Sequence, residues 1–133
     1  MAWPDVAKQN GSLTRQPGHV IDIMATCLDV AGVEYPKEFQ GRQPVPLEGK
    51  SLVPILLGKQ REPHELLAWK CSRGRAIQIA DWKLVRPSDA WPWELYNLGN
   101  DIGETNNVAQ QFPDRVKAMK EKYEQWRERV GAN

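Results

Sequence analysis

Cys27, Cys71, His19 and His64 are all the thiols and imidazoles these 133 residues offer for nucleophilic or metal chemistry. Their separations do not make paired zinc-ligand spacings, and two cysteines do not make a disulfide framework. Cys27, set in an apolar run, is expected as a core thiol. Gly49-Lys50-Ser51 has the ending of a phosphate-binding loop, but the Gly required five positions earlier is Pro44, and no apolar strand precedes it. A hard cation needs several converging oxygens, and no two Asp residues are adjacent. Asn100-Asp101 is accounted for by turn chemistry. Trp91 and Trp93 with Arg86 could form a stacking platform for a sugar or a base, or simply pack as half-buried strand and loop tryptophans.

The elements that must position these side chains follow from periodicity and punctuation. Residues 1–18 read as loop, with Pro4, Gly11, Pro17 and Gly18 as breakers. A helix is expected over 19–31, ended by Gly32. His19, Asp22, Thr26 and Asp29 share one narrow face of it, and nearly everything else is apolar. Such a helix wants cover from several sides, more than this chain can provide, so a missing partner surface is expected. A loop-rich connector carries Pro36, Gly41, Pro44, Pro46 and Gly49, and a short helix over 52–57 follows.

Four strands are expected next: Leu66 to Cys71, Arg75 to Ile79, Trp82 to Arg86 and Trp93 to Leu98. Ala80-Asp81 serves as a tight hairpin turn. Thr105, beside Glu104, offers a helix start. Pro113 suits the first position of a long helix running to about Val130. Val116, Met119, Tyr123, Trp126 and Val130 make its apolar stripe, while Lys117–Glu121 and Lys120–Glu124 pair outside at ~0.3 kcal/mol each. The expected fold is therefore α+β: a small antiparallel sheet of four strands packed on a long C-terminal helix, preceded by a buried helix and a connector. Its segments are loop 1–18, helix and connector 19–58, sheet 65–98 and C-terminal helices 104–133.

Totals narrow the function classes. The formal net charge of +1 gives no electrostatic reason to expect nucleic acid or an anionic membrane as partner. No apolar run is long enough to span a bilayer, and Met1 opens no basic-then-apolar leader. The length is that of one domain.

Trp93-Glu94-Leu95-Tyr96-Asn97-Leu98, continued by Asp101, Gly103, Glu104, Asn107 and Ala109, resembles the closing signature of the sulfatase family. That signature is Leu-Tyr-Asp-Leu-x-x-Asp-Pro-x-Glu-x-x-Asn-Leu-Ala, with Asn97, Ile102 and Val108 replacing Asp, Pro and Leu. Trp3-Pro4 is similar to the Trp-Pro that closes a strand of the family's large domain. His19 with Ile21 to Thr26 and Leu28 to Gly32 resembles its His-x-Ile-Asp-Ile-Met-Pro-Thr-x-Leu-Asp-x-Ala-Gly helix. Leu47 to Leu52 with Pro54 and Leu56 resembles its Glu-Gly-x-Ser-Leu-x-Pro-x-Leu loop, and Arg75-Ala76 with Asp81 to Val85 its Arg-Ala-x-Arg-x-Gly-x-Trp-Lys-Leu hairpin. These pieces, in family order over almost the whole chain, match the C-terminal part of an arylsulfatase-like enzyme of the alkaline-phosphatase-like superfamily, not its catalytic half.

The resemblance implies a chemistry whose reacting parts lie elsewhere. Family enzymes attack sulfur with a formylglycine made from Cys/Ser-x-Pro/Ala-x-Arg, while calcium neutralises the sulfate. Cys71 and Arg75 have the outer spacing of that motif, but Arg73 stands where Pro or Ala is needed. Cys27 has Asp29 and Ala31 at the corresponding positions. Catalytic residues and metal ligands are therefore expected to be absent, with a missing catalytic sulfatase domain as partner. The candidate contacts to a sulfated small molecule or glycan are Arg15, His19, Cys71 and Arg75. Two depart from family habit, since Arg15 and Cys71 occupy positions that are often His. A Cys cannot replace an imidazole as proton donor or charged sulfate contact at neutral pH. His19 keeps the family identity and suits a backbone cap or a pocket contact. The family is usually exported, so the missing leader fits a fragment whose N-terminus lies upstream. Two other readings remain: a stand-alone module binding sulfated glycans, and a complementing subunit of a split sulfatase.

Overall fold

A computed structural model describes residues 13–132, in two units that divide between His64 and Glu65. The expected loop over residues 1–12, Trp3-Pro4 included, lies outside the described residues. No helix among the described residues is long and apolar enough to cross a membrane.

The first unit carries α1 (Asp22–Ala31) and the one-turn α2 (Val53–Leu56). Gly32 ends α1 in the left-handed region at φ 64°, and its N–H and that of Val33 close on Asp29 and Leu28 carbonyls. The helix opens three residues later than the expected 19, because His19 and Val20 carbonyls are taken in tighter i to i+3 bonds by Asp22 and Ile23 N–H groups. Burial on α1 falls on Asp22, Ala25 and Thr26. Val20, Ile23, Met24 and Val30 are 50–70% exposed. Cys27 is also exposed, which corrects the expectation of a core thiol. The chain's own cover lies on the polar stripe of α1 and leaves the side carrying Cys27 open.

That cover is the segment 49–53. Lys50 N–H donates to the Asp22 carboxylate, Leu52 N–H to the Thr26 hydroxyl and the Ser51 hydroxyl to Asp29. Gly49 permits the approach: a Cβ there would fall 2.0 Å from the Ile21 carbonyl oxygen. The polar stripe is thus spent on fixing the connector.

The second unit is a four-stranded antiparallel sheet in sequential order: β1 (Leu67–Cys71), β2 (Gly74–Ile79), β3 (Trp82–Arg86) and β4 (Glu94–Asn97). Two-residue turns, Ser72-Arg73 and Ala80-Asp81, join the first three, with Ser72 at φ 52° and Ala80 at φ 49°. The register aligns Ala68, Ile77, Leu84 and Leu95 in one row across the sheet. This row meets Met119 and Tyr123 of α3 (Pro113–Val130) in the core, with Trp82, Trp93, Val116 and Trp126 packed around it. The stripe expected on α3 is therefore the packing face, except that Val130 is 42% exposed. Outside, Glu124 pairs with Arg127, and Lys120, expected to pair with Glu124, lies over the Trp93 ring.

The helix expected to start at Thr105 does not form. The Asp101 carboxylate captures the N–H groups of Thr105 and Asn106 and the Thr105 hydroxyl, which fixes a turn instead. Asn107 then accepts from Leu95 N–H, and Val108 N–H donates to the Leu95 carbonyl, so the segment runs beside β4. Among the described residues from 104 on, helix is confined to α3.

Candidate functional site

In the first unit the centre of charge is Asp22, which has no exposed surface. Its carboxylate accepts from the backbone N–H groups of His19 and Lys50, both at 2.8 Å, from the Arg61 guanidinium at 3.0 Å and from His64 Nε2 at 2.8 Å. Burial alone would raise this carboxyl, but the Lys50, His19, Arg61 and His64 donors outweigh it and bring it down to about 2. An ionised Asp22 means that His64 Nε2 carries the proton in their bond. Arg61 also donates to the Lys50 and Pro17 carbonyls, so one guanidinium ties the pre-helix segment, α1 and the connector together. With four donors and so low a pKa, Asp22 is a poor general base; it positions what surrounds it.

His19 is held by this network. Asp22 fixes its backbone N–H, and its Nδ1 accepts a long 3.4 Å bond from Ile21 N–H. Burial lowers the His19 pKa most; Asp22 pulls it up and His64 pushes it further down. Arg15 is exposed on the same pre-helix segment, where the Gln16 side chain bridges to Lys59 and Arg61 backbone. Sequence reasoning missed Arg61 and overlooked His64 except as a zinc ligand. The available signal was Asp22 itself, a carboxylate on a helix that needs a cationic partner when covered.

Cys71 and Arg75 lie on the hairpin of the second unit. Cys71 ends β1 opposite Gly74 and is exposed, while Arg75 is the cross-strand partner of Lys70 and of Arg86. Arg75 pairs with Asp89 at 2.8 Å. The structure thus groups Arg15 with His19 on one segment and Cys71 with Arg75 on one hairpin, in different units. Among the described residues no three His, Cys, Asp or Glu side chains could hold a metal ion. With Cys71 at a hairpin end and Arg75 committed to Asp89, these residues fit neither a formylglycine centre nor a calcium cage.

Trp93 faces Tyr123 edge-on at 5.8 Å between ring centroids, so the core claims it. Trp91 is 57% exposed. The pair raised as a platform therefore divides, one ring packed and one presented to solvent.

Residues 1–129 match the family described as N-sulphoglucosamine sulphohydrolase, C-terminal. Arylsulfatase K of Danio rerio is 34% identical over 110 residues, covering 74% of this chain and 20% of that protein. A sulfatase of Schizosaccharomyces pombe is 34% identical over 101 residues, covering 71% of this chain and 18% of that protein. A solved structure in complex with its substrate D-glucosamine-2-N,6-O-disulfate superposes with a TM-score of 0.58 at 24% identity, covering 84% of this chain and 24% of that one. That likeness is one of fold. The chain spans about a fifth of the length of the curated relatives it matches.

Proposed function

The chain belongs to the sulfatase family, as its C-terminal region, and from that membership we propose that it completes the fold of an arylsulfatase-type sulfuric ester hydrolase without doing chemistry alone. In the intact enzyme, exported as its family usually is, it forms one wall of the substrate cleft. Arg15, His19, Cys71 and Arg75 are the residues offered to a sulfated substrate. Formylglycine and calcium belong to the large domain, where they supply the nucleophile and neutralise the sulfate.

One observation carries this reading: α1 is inside out. Its polar stripe is hydrogen-bonded within the chain, and Ile23, Met24, Val30 and Cys27 face outward. Exposed apolar side chains grouped on one helix mark a surface that another body covers. A catalytic portion of the same family, lacking a C-terminal region of its own, is that body.

The test mixes the purified chain with such a catalytic portion and follows maleimide labelling of Cys27. Docking protects Cys27 and gives co-elution; undiminished labelling in the mixture refutes the assignment. Alongside, the calcium-loaded chain is assayed alone with an aryl sulfate, and any turnover refutes the non-catalytic part.

A further inference from the structure

The start of α1 is closed by a reciprocal pair of bonds. His19 N–H donates to the Asp22 carboxylate at 2.8 Å, and Asp22 N–H donates back to the His19 carbonyl at 3.0 Å. Between them, Ile21 N–H has no intrahelical acceptor, as at any helix start, and is directed at His19 Nδ1. A ring nitrogen that accepts carries no proton, so His19 is the tautomer with its hydrogen on Nε2, an atom buried from solvent.

A second proton on this ring has no acceptor waiting for it. At Nδ1 it would set an N–H against the Ile21 N–H, donor facing donor. The nearby anion is no substitute. A carboxylate offers about four lone-pair sites, and His19 N–H, Lys50 N–H, Arg61 and His64 already occupy Asp22. The charged and titratable groups around the turn come from three elements. They are Asp22 on α1, Lys50 of the connector, whose ammonium is held by Glu62 and the Pro63 carbonyl, and Arg61 with His64 after α2. The chain on either side of the turn is pinned, by the Gln16 side chain on Lys59 and Arg61 backbone, by Arg61 on the Pro17 carbonyl, and by Asp22. His19, Val20 and Ile21 form the short span between these posts.

We propose that His19 is a proton-operated latch on the first turn of α1, closed while the imidazole is neutral and opened when a second proton sends the ring out to solvent. Burial first, opposed by Asp22 and reinforced by His64, lowers its pKa from the ordinary 6.5. The open form therefore binds the proton more readily, so closure is complete above pH about 6.5 and is lost as pH falls below it. This window lies well above that of Asp22. Val20 and Ile23, 70% and 51% exposed, stand at the leading end of the outward face of α1. That acid thereby loosens docking rests on the function proposed above, whereas the latch is a property of the chain alone.

The experiment titrates the isotopically labelled full chain from pH about 8 to about 5, following imidazole and amide resonances together. The amides of His19, Ile21 and Ile23 are expected to shift with the His19 ring, at a midpoint below 6.5, while those of Ile77 and Leu84 stay still. His19→Asn puts an acceptor oxygen near the place of Nδ1 and takes no proton, so these shifts should vanish. His64→Gln keeps a donor near the place of Nε2 and should leave them intact. A His19 ring that titrates with unmoved amides overturns the latch. So does a His19→Asn variant that keeps the shifts, or a His64→Gln variant that loses them. If His19→Asn does not fold, the coincidence of ring and amide midpoints and the His64→Gln variant decide. The expected shifts in a chain that never protects Cys27 in the mixing experiment support the latch and sink only the docking.

Discussion

Residues 65–132 and residues 13–64 solve the same problem in opposite ways. In the sheet unit the fully buried side chains are Ile77, Leu84, Leu95 and Tyr123. Each large apolar side chain removed from water there is worth about 1.5–3 kcal/mol. Among the described residues of the earlier unit the fully buried side chain is a carboxylate, Asp22, with Arg61 and His64 side chains 4% and 8% exposed around it, while Ile23, Met24 and Val30 of α1 face solvent. A buried ion network contributes little net stability, because desolvation offsets most of the attraction. What it fixes is geometry, since only one arrangement satisfies every donor. One unit therefore carries its own driving force. The other is specified in shape by polar contacts and leaves Ile23, Met24 and Val30 in solvent.

The sharpest way to break this comparison is Asp22→Ala. It leaves the Arg61 guanidinium buried without its counter-ion, a loss of about 3–5 kcal/mol. Amide exchange should accelerate throughout 13–64 and stay unchanged in the sheet; equal acceleration in both would mean that the two regions are not distinct in their energetics. Leu84→Ala is the mirror experiment. It opens a cavity between the sheet and α3 at a cost of about 3 kcal/mol, and the denaturation midpoint followed by sheet signals should fall.

The contrast also explains what could be read from the sequence. Alternation in Trp82 to Arg86, two-residue gaps between strands, and the Met119–Tyr123–Trp126 stripe are local signals, and they placed the sheet and α3 within a residue or so. The strand expected to reach Leu98 stops at Asn97, although Leu98 N–H still bonds the carbonyl of Asp81, its cross-strand neighbour in the turn before β3. Thr105 failed as a helix start because the capping carboxylate came from Asp101, upstream, and held a turn. The Asp22 network was out of reach for a different reason. Its partners Arg61 and His64 lie 39 and 42 residues away across a proline-rich connector, and no periodicity links them. The row of Arg75 with Arg86 depends on register, which two separate strands must set together.

A smaller effect comes from pH. Asp22 sits at about 2 when folded against 3.8 for the ordinary group, so protons favour the unfolded form. The stabilisation, on the order of 2 kcal/mol, is complete above pH about 4 and drains away as pH falls toward 2. Exchange in 13–64 should quicken over that window, and Asp22→Asn should remove the Asp22 part of the dependence. A variant that retains it in full would place the titrating group elsewhere.

The finest distinction lies within the sheet unit, between two tyrosines. Tyr96 donates its hydroxyl to Glu94 at 3.0 Å; burial first, then that carboxylate, pushes its pKa up to about 12. Tyr123 is fully buried, and among the described residues its hydroxyl has no acceptor. Deleting a satisfied oxygen and deleting an unsatisfied one are different operations. Tyr96→Phe should cost about 1 kcal/mol, because Glu94 loses its donor. Tyr123→Phe should change stability by less than about 0.5 kcal/mol or raise it, because the hydroxyl it removes repays none of its desolvation. Urea midpoints of the two variants decide the matter. A loss at Tyr123 as large as that at Tyr96 would show that its hydroxyl has a partner, and that the apolar unit too is pinned by a polar contact at its centre.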